Sequence, residues 1–342
     1  MRPGFGQRIK MLLVLGQRRD EHFTRVFESL GWRDGREYTI LDRYCSPLVS
    51  LEPGQAADFL TGTRLIWPRI KPPLFEESFV PEGAEERNYF YSEWGVFDDY
   101  ICSTIPKGAF IQSLGRRGPE ENKIIQLSVA KKLGFNVPRS LISTDAEAVE
   151  RFFERWPIVF KPLTSTPAGS KGALLTTKIH RNRLSELCLE ASRCPGIFQE
   201  YIEKQSEWRI NVFGTKVFAA ELAASDTAGL SADWRLAHWR QGALKPVVIP
   251  MHVEKACLRF TKHFGLHHAV FDVALDAEGN TFFLECNPSG QYTFVEDQTG
   301  QPLSRAMANL ISILIGGIAL ILAFVGLVPL LGWTNWLILP IA

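Results

Sequence analysis

The chain has 342 residues, of which 46% are hydrophobic and 22% charged, so it is long enough for two or three packed units and too apolar to be disordered. Its 38 basic and 37 acidic residues leave a net charge of +1, which excludes the strongly basic surface of a typical nucleic-acid-binding protein. None of the six cysteines forms a CxxC motif or lies at zinc-finger spacing, so scattered reduced thiols are expected.

Residues 1–115 are predicted to form an α/β domain. The segment Asp20–Leu30 has apolar residues at helical spacing along one face. The predicted strands are the β-rich runs Ile9–Leu15, Thr39–Leu41 and Arg64–Trp67. Residues 68–95 contain many proline, glutamate and aromatic residues without a clear period, which predicts a long loop or an irregular insertion.

Two further units, residues 116–195 and 196–309, combine helices with strands and make the predicted fold class α+β. The first contains the predicted helices Glu120–Leu133 and Ala146–Arg155 and the strand Ile158–Lys161. The second contains five strand patterns: Gly196–Tyr201, Trp208–Phe213, Lys216–Ala223, Ala269–Leu275 and Thr281–Cys286.

The C-terminal segment, residues 310–342, is unlike the rest of the chain, because no charged residue occurs from Ala306 to the end. The apolar run Leu310–Leu331 is long enough to cross a bilayer core of about 30 Å as a helix. Trp333 and Trp336 follow where interfacial aromatic residues are common. A buried terminal helix is the alternative, but such helices usually keep a polar stripe. A transmembrane helix is therefore predicted, either as one tilted span or as a short re-entrant hairpin.

The sharpest local pattern is a hairpin at residues 267–290, HHAVFDVALDAEGNTFFLECNPSG, in which two β-rich runs flank a turn-like DAEGN. Glu285 and Asn287 are two residues apart and share a face, and a turn over 277–280 places Asp272 opposite Glu285. Two carboxylates and an amide oxygen are hard ligands that suit Mg²⁺. The alternative is a solvated polar face, but the flanking phenylalanines make uncompensated carboxylates costly there.

A candidate nucleotide site precedes the hairpin. Lys161 ends an apolar strand, Lys123 begins a helix, and the loop 164–172, TSTPAGSKG, contains Ser170 and Gly172. Backbone N–H groups of such a loop can fold over phosphates, although the spacing of a P-loop is missing. Taken singly, each lysine is more often a surface charge.

A hinge-like segment follows this loop: Gln199, Glu200, Tyr201 and Ile202. Its backbone can hydrogen-bond an adenine edge, and the carboxylate of Glu207 can accept ribose hydroxyls. Arg209 shares a strand face with Glu207 and can pair with a phosphate or a carboxylate. The alternative for Glu207 and Arg209 is an ordinary surface ion pair.

Taken in this order, the motifs resemble the ATP-grasp superfamily, and most closely the RimK-type branch that matures ribosomal peptides, the microviridin ligases. The resemblance covers about residues 60–311 and rests on NKIIQLSVAKKLGFNVPRSLIST, EWRINVFGTKVFAAEL and LECNPSGQYTFVEDQTGQPLSRAMANLI. It implies a pre-grasp α/β domain and two α+β subdomains that clasp ATP. The hydrophobic C-terminal segment is not part of the family pattern.

The resemblance also implies roles for the candidate residues. Lys123 and Lys161 are expected to contact the phosphates of ATP, Glu200 and Ile202 the adenine, and Glu207 the ribose. Asp272, Glu285 and Asn287 are expected to hold one or two Mg²⁺ ions, for which Mn²⁺ is an alternative. Arg209 and Arg235 are expected to steady an acyl phosphate and the incoming substrate.

The implied enzyme is an ATP-dependent ligase that activates a carboxylate and joins it to an amine or a hydroxyl, with a peptide or protein as the favoured substrate. The alternatives are a small-molecule amino-acid ligase of the glutathione synthetase type and a membrane-tethered module that binds ATP or peptide without turnover. A cytoplasmic enzyme domain anchored to the cytoplasmic membrane by residues 310–342 is expected, with no nucleic-acid partner. The sequence leaves a homodimer open.

Overall fold

The computed structural model describes residues 11–42, 44, 63–70, 80–105, 107–113, 118–163, 176–184, 192–223 and 242–327, with side chains described up to residue 317 in the last range. Within these ranges the strands form three sheets, of three, four and five strands. The sheets belong to an N-terminal, a middle and a C-terminal unit.

The N-terminal unit is a small parallel sheet covered by helix α1. Its strands are β1 (Leu12–Gly16), β2 (Tyr38–Leu41) and β3 (Leu65–Arg69), with β1 in the centre. The Asp20 side chain caps α1 (Glu21–Leu30) by accepting a hydrogen bond from the His22 backbone N–H. The predicted helix and strands are therefore present, with ends shifted by a few residues.

Residues 84–95 are helical, so the prediction of an irregular insertion was wrong there; residues 71–79 lie outside the described part of the chain. Helix α2 (Ala84–Thr104) has 21 residues. Its second half carries an apolar stripe at helical spacing, Phe97, Tyr100 and Ile101, that packs against β1 and β3. Two glutamates in the first turn and the prolines before them obscured that stripe in the sequence.

The middle unit is an antiparallel four-stranded sheet with two helices. A short 3₁₀ turn precedes α3, whose first N–H groups are capped by the Asn122 side chain. The elements of this unit are α3 (Lys123–Lys132), β4 (Ser140–Ser143), α4 (Ala146–Phe153), β5 (Ile158–Lys161), β6 (Thr177–Lys178) and β7 (Gly196–Glu200), and the strand order is β4-β7-β5-β6.

The C-terminal unit is an antiparallel five-stranded sheet, ordered β10-β9-β8-β11-β12, with helices packed on it. Its elements are β8 (Lys204–Phe213), β9 (Lys216–Ala223), β10 (Leu244–Val247), α5 (Met251–Phe264), β11 (His268–Asp276), β12 (Thr281–Asn287), α6 (Thr293–Thr299) and α7 (Leu303–Leu327). One sheet face packs against α3 and α5 in a core that contains Val212, Phe260 and Phe283. The opposite face carries the polar residues of the candidate site.

Helix α7 runs through residue 310, where a membrane segment was predicted to begin. Leu310, Ile311 and Ile315 are buried in a core that they share with β1, β3 and α1. Part of the predicted membrane segment is thus core of the folded domain. Within the described ranges, no helix has the length and apolar character needed to cross a membrane. Residues 328–342 of the predicted segment lie outside these ranges.

Candidate active site

The centre of the candidate site is the hairpin β11–β12, where Asp272 and Glu285 are opposed as the sequence predicted. The register is less regular than predicted, because Leu275, not Asp276, pairs with Thr281. An uninterrupted ladder from that pair would place Leu284 opposite Asp272. A β-bulge after Phe283 inserts one residue and brings Glu285 to that position.

The bulge also determines the face of β12 on which Glu285 lies. Phe283 is fully buried in the core, and a regular strand would turn Glu285, two residues further on, toward the same core. With the extra residue, Glu285 shares the opposite face with Asp272 and Asn287. The Asn287 Nδ2 atom lies 3.2 Å from Asp272 Oδ2 and 3.2 Å from Glu285 Oε1, so the three side chains meet at one point.

Arg209 lies beside this group on the neighbouring strand β8, directly paired with Asp272. Its Nη1 donates to both carboxylate oxygens of Asp272, at 2.8 and 3.0 Å, and its Nη2 donates to the Gln291 carbonyl at 3.2 Å. Arg209 is buried and holds a predicted metal ligand together with the backbone that follows Asn287. Its expected contact with an acyl phosphate stays a prediction.

Asp272 is buried among other charged side chains. Burial raises the pKa of Asp272 to about 7; Arg209 opposes that rise, whereas the carboxylates of Glu285 and Glu207 reinforce it. Among the described residues, no three histidine, cysteine or acidic side chains are grouped so that they could hold a metal ion by themselves. The set here is two carboxylates and an amide, and turning the Asn287 amide by 180° points its oxygen at them. These ligands fit a hard cation such as Mg²⁺.

Lys161, at the end of β5, approaches the same group from the middle unit. Burial lowers the pKa of Lys161 to about 8; Glu285 and Glu207 act against this, and Lys204 and Lys123 act with it. Lys161, on the four-stranded sheet, is therefore close enough to Glu285 and Glu207, on the five-stranded sheet, to interact with them electrostatically. Lys123 also donates to the Pro162 carbonyl at 3.0 Å, next to Lys161. Both lysines predicted to bind phosphate therefore converge on the space between the sheets.

The hinge after β7 is tied into the middle unit. The backbone N–H of Glu200 donates to the Arg139 carbonyl and that of Tyr201 to the Pro157 carbonyl, both at 2.8 Å. The Glu200 carboxylate accepts two hydrogen bonds of 2.9 Å from Arg139. Gln199 is buried in β7, where its Nε2 donates to Ser140, and Ile202 is buried just beyond the strand. Adenine recognition by this hinge stays a prediction.

Glu207 lies on β8, two residues before Arg209 and on the same face. Its carboxylate forms an ion pair of 2.5 Å with Lys204. Ribose hydroxyls that bind the Glu207 carboxylate would therefore displace the Lys204 ammonium or share the carboxylate with it. Three other candidate residues, Ser170, Gly172 and Arg235, lie outside the described residues.

Three side chains at the site were not predicted from the sequence. Lys204 and Arg139 partner the two carboxylates assigned to the nucleotide, and nothing in their spacing indicates this. Gln126 bridges α3 to β12: its Nε2 donates to the Cys286 carbonyl at 2.8 Å and its Oε1 accepts from the Cys286 N–H at 3.0 Å. Gln126 thereby fixes the strand between two of the predicted metal ligands, Glu285 and Asn287. For Gln126, the only available signal of such a role was that it is a polar residue buried on a helix.

A lysine on a strand of one sheet, a second lysine at a helix start and a carboxylate–amide group on the other sheet are the arrangement expected of a nucleotide-dependent ligase of the ATP-grasp class. The RimK-like ATP-grasp domain matches residues 120–311, more than half of the chain, and the protein belongs to this family. As a member, it is an ATP-dependent ligase that uses ATP and Mg²⁺. No curated protein matches the chain in sequence.

Several solved structures share the fold. The macrocyclase MdnC of Microcystis aeruginosa MRC, bound with precursor peptide MdnA, is 23% identical, with a TM-score of 0.71 over 88% of this chain and 99% of that one. A RiPP-associated ATP-grasp ligase of Chryseobacterium gregarium, in complex with ADP and a leader and core peptide, is 20% identical, with a TM-score of 0.70 over 89% and 97%. The D-cycloserine synthetase DcsG is 15% identical, with a TM-score of 0.57 over 89% and 99%.

Proposed function

We propose that this ATP-grasp ligase modifies a ribosomally made peptide by joining a side-chain carboxylate to an amine or a hydroxyl. The observation that carries the ligase chemistry is the approach of Lys161, from the four-stranded sheet, to the carboxylate of Glu285, which lies opposite Asp272 on the five-stranded sheet. The peptide substrate is supported by the extent of the structural likeness, which includes the N-terminal unit and nearly the whole of two peptide-bound ligases.

In the proposed reaction, a substrate carboxylate attacks the γ-phosphate of ATP and yields an acyl phosphate and ADP. The amine or hydroxyl then displaces phosphate and leaves an amide or an ester. Bound Mg²⁺ supplies charge neutralisation at the phosphates. Asp272, Glu285 and Asn287 would hold the ion, and Lys123 and Lys161 would neutralise and align the phosphates. The protein contributes positioning and electrostatics, with no covalent intermediate on a side chain.

A small-molecule ligase is the second candidate, because the same fold occurs in a D-cycloserine synthetase. The two candidates differ in what must fit between the sheets. A peptide requires a groove open at both ends, whereas a small substrate can be enclosed. Substrate dependence therefore separates them more directly than the fold does.

The test is ADP release by the purified protein with Mg-ATP, with and without candidate precursor peptides, beside an Asp272→Ala/Glu285→Ala double variant. We expect release that a peptide stimulates and the double variant abolishes, together with the loss of one water from the peptide per bond formed. Stimulation by free amino acids but by no peptide would favour the small-molecule ligase. ATP binding without release under any condition would favour a non-catalytic binding module.

We also propose that the charge-free C-terminal end attaches the enzyme to the cytoplasmic face of a membrane, with the anchor beginning after residue 317. The support is the sequence itself, which has no charged residue after Arg305. The earlier start at residue 310 is unsuitable, because Leu310, Ile311 and Ile315 are core residues. The homodimer that the sequence leaves open has no support among the described residues.

Truncation tests the anchor. A chain that ends at residue 317 is expected to bind ATP and to stay in the supernatant when membranes are sedimented, whereas the full chain sediments with them. A chain that ends at residue 309 is expected to be less stable, because each buried leucine or isoleucine contributes about 1.5–3 kcal/mol. Sedimentation of the 317-residue chain with membranes would place the attachment elsewhere.

A further inference from the structure

The segment that follows the metal ligand Asn287 is held by side chains from the N-terminal unit. Arg69, at the end of β3, donates from Nη1 to the Gly290 carbonyl at 3.3 Å. His22, in the first turn of α1, accepts from the Tyr292 backbone N–H at its Nε2, at 3.1 Å. Two peptide groups close to the metal ligands are therefore fixed by residues more than 200 positions away in the chain.

The second of these peptide groups, between Gln291 and Tyr292, is also held from the opposite side, by the site itself. Arg209 donates from Nη2 to the Gln291 carbonyl, and its Nη1 holds Asp272. Three consecutive residues thus bind three different side chains, and one of these side chains also binds a metal ligand. A displacement of this backbone would move both the carbonyl partner of Arg209 and the strand end that carries Asn287.

The segment has little room to move. A Cβ atom at Gly290 would lie 2.5 Å from Val270 Cγ2, so the backbone already contacts the sheet at van der Waals distance. On its other side the Tyr292 ring is fully buried and makes an edge contact with the His22 ring, at 4.5 Å between centroids. The segment is clamped between the sheet and the N-terminal unit.

His22 and Arg69 are themselves fixed by Asp20, and all three are almost fully buried. The Asp20 Oδ1 atom lies 2.7 Å from His22 Nδ1, and Oδ2 accepts from Arg69 Nε at 2.9 Å. Because Nε2 of His22 accepts from the Tyr292 N–H, the proton of the neutral imidazole is placed on Nδ1, which faces Asp20 Oδ1 and lies 2.9 Å from Arg69 Nη2. The carboxylate therefore sets both the tautomer of the histidine and the direction of the guanidinium.

We propose that Asp20, His22 and Arg69 are positioning residues for the metal site, which raise its affinity for Mg²⁺ by fixing the backbone of residues 290–292. They do not touch the ligand set directly; they act through the backbone to Asn287 and through the Gln291 carbonyl to Arg209. Partners of this kind, one step removed from the ligands, commonly change metal affinity by about 10–100-fold when removed.

The test measures binding of the non-hydrolysable analogue AMPPNP by calorimetry across a range of Mg²⁺ concentrations, with thermal unfolding of each variant alongside. We expect His22→Ala to raise the Mg²⁺ concentration needed for half-maximal binding on the order of 10-fold. His22→Gln offers an acceptor near the position of Nε2 and should recover most of that loss. Arg69→Lys keeps the charge but not the fork geometry, and an intermediate loss is expected.

Arg25 supplies the matched control. It also joins α1 to the C-terminal unit, through hydrogen bonds of 2.6 and 3.1 Å to Asp297, but its side-chain hydrogen bonds go to Asp297 and Glu21 and not to the backbone of residues 290–292. Arg25→Met should therefore leave the Mg²⁺ dependence within about 2-fold of wild type, because a surface pair contributes little.

The result that overturns the proposal is a wild-type Mg²⁺ dependence in His22→Ala or in Arg69→Lys, whatever their thermal stability, because the three residues would then serve packing only. If His22→Ala does not fold, Arg69→Lys decides the question. An equal Mg²⁺ shift in Arg25→Met would also refute it, since any loosening of the interface would then suffice. The measurement needs no peptide, so it is independent of the proposed substrate.

Discussion

Two buried aspartate–arginine pairs lie on either side of residues 290–292, and they differ in charge balance. Asp20 pairs with Arg69 in the N-terminal unit, and Asp272 pairs with Arg209 on the five-stranded sheet. Burial acts against ionisation of Asp20, but the Arg69 charge and hydrogen bonds from His22 outweigh it and hold the pKa of Asp20 well below its usual range. Burial raises the pKa of Asp272 to about 7, despite Arg209.

The difference comes from the surroundings of each pair. Asp20 has only donors around it, so its pair is electrically complete. Asp272 has the carboxylates of Glu285 and Glu207 nearby; Arg209 lies against Asp272, Lys204 pairs with Glu207, and Lys161 approaches Glu285 from the other sheet. A carboxylate surrounded by donors stabilises a fold, whereas a buried cluster of carboxylates with a raised pKa is a candidate place for a cation. The two predictions with the largest expected effects follow from this contrast.

The largest effect is expected on catalysis. Asp272→Asn keeps the shape of the side chain and removes one charge from the metal site, so the rate of ADP release should fall on the order of 10³-fold at fixed Mg²⁺. The assay is the one proposed above, with circular dichroism to confirm folding. Asp20→Asn is the comparison variant, and its rate at saturating Mg²⁺ should stay closer to wild type. Equal losses of the rate of ADP release in both variants would show that the two pairs do not differ in function.

The second effect is expected on the stability of the fold, and here Asp20→Asn should have the larger effect and Asp272→Asn the smaller one. Asp20→Asn leaves the Arg69 guanidinium buried without a counter-charge, which should lower the free energy of unfolding by about 3 kcal/mol. Asp272→Asn relieves repulsion among carboxylates, and in the absence of metal it should change that free energy little or raise it. Urea unfolding in EDTA at pH 8 measures both. A loss of similar size in Asp272→Asn would mean that its pair is structural as well.

Of the two buried pairs, only the surroundings of Asp272 could be predicted in part from the sequence. The opposition of Asp272 and Glu285 followed from a hairpin pattern, because strand pairing is local there. The bulge that makes it possible did not follow, since Leu284 carries no glycine or proline signal. The cluster of Asp20, His22 and Arg69 was not predicted at all, because these residues are 2 to 49 positions apart and meet only through the packing of α1 on β3.

The prediction of secondary structure also succeeded for some elements and missed others. Strands β5 and β9 have the predicted ends, because their apolar runs are short and clearly bounded. Strands β4 and β10 and helices α5 and α6 were missing from the prediction. Strand β4 has no buried residue, and β10 contains a proline. In α7 the apolar composition was recognised, but composition does not distinguish burial against a protein core from burial in lipid.

The third effect is a pH dependence that should differ between the pairs. An aspartate in an unfolded chain has a pKa of about 3.9. The pKa of Asp272 is raised to about 7, so between these values the folded state holds a proton that the unfolded state has lost, and stability falls as pH rises through this window. Asp20 has a lowered pKa, so its contribution is present above about pH 4 and is lost only as pH falls further.

Unfolding in urea at pH 5 and at pH 8, without metal, measures that difference. The decline in stability from pH 5 to pH 8 should be smaller in Asp272→Asn than in wild type, and it should be unchanged in Asp20→Asn. Added Mg²⁺ should stabilise the wild type at pH 8 and have less effect on Asp272→Asn, because binding to the folded state alone stabilises it. An identical pH dependence in all three proteins would contradict the assignment of Asp272.

The smallest effect is expected at a third arginine–carboxylate pair, which is exposed. Arg139 donates to both oxygens of Glu200 at 2.9 Å, in a geometry as close as that of the buried pairs, but its side chain is 60% exposed. Water screens such a pair, so Arg139→Met should change the free energy of unfolding by less than about 1 kcal/mol. Because the change frees a carboxylate at the predicted adenine hinge, AMPPNP affinity should be measured with it. A stability loss comparable to that of Asp20→Asn would show that distance, rather than burial and charge balance, determines what these pairs contribute.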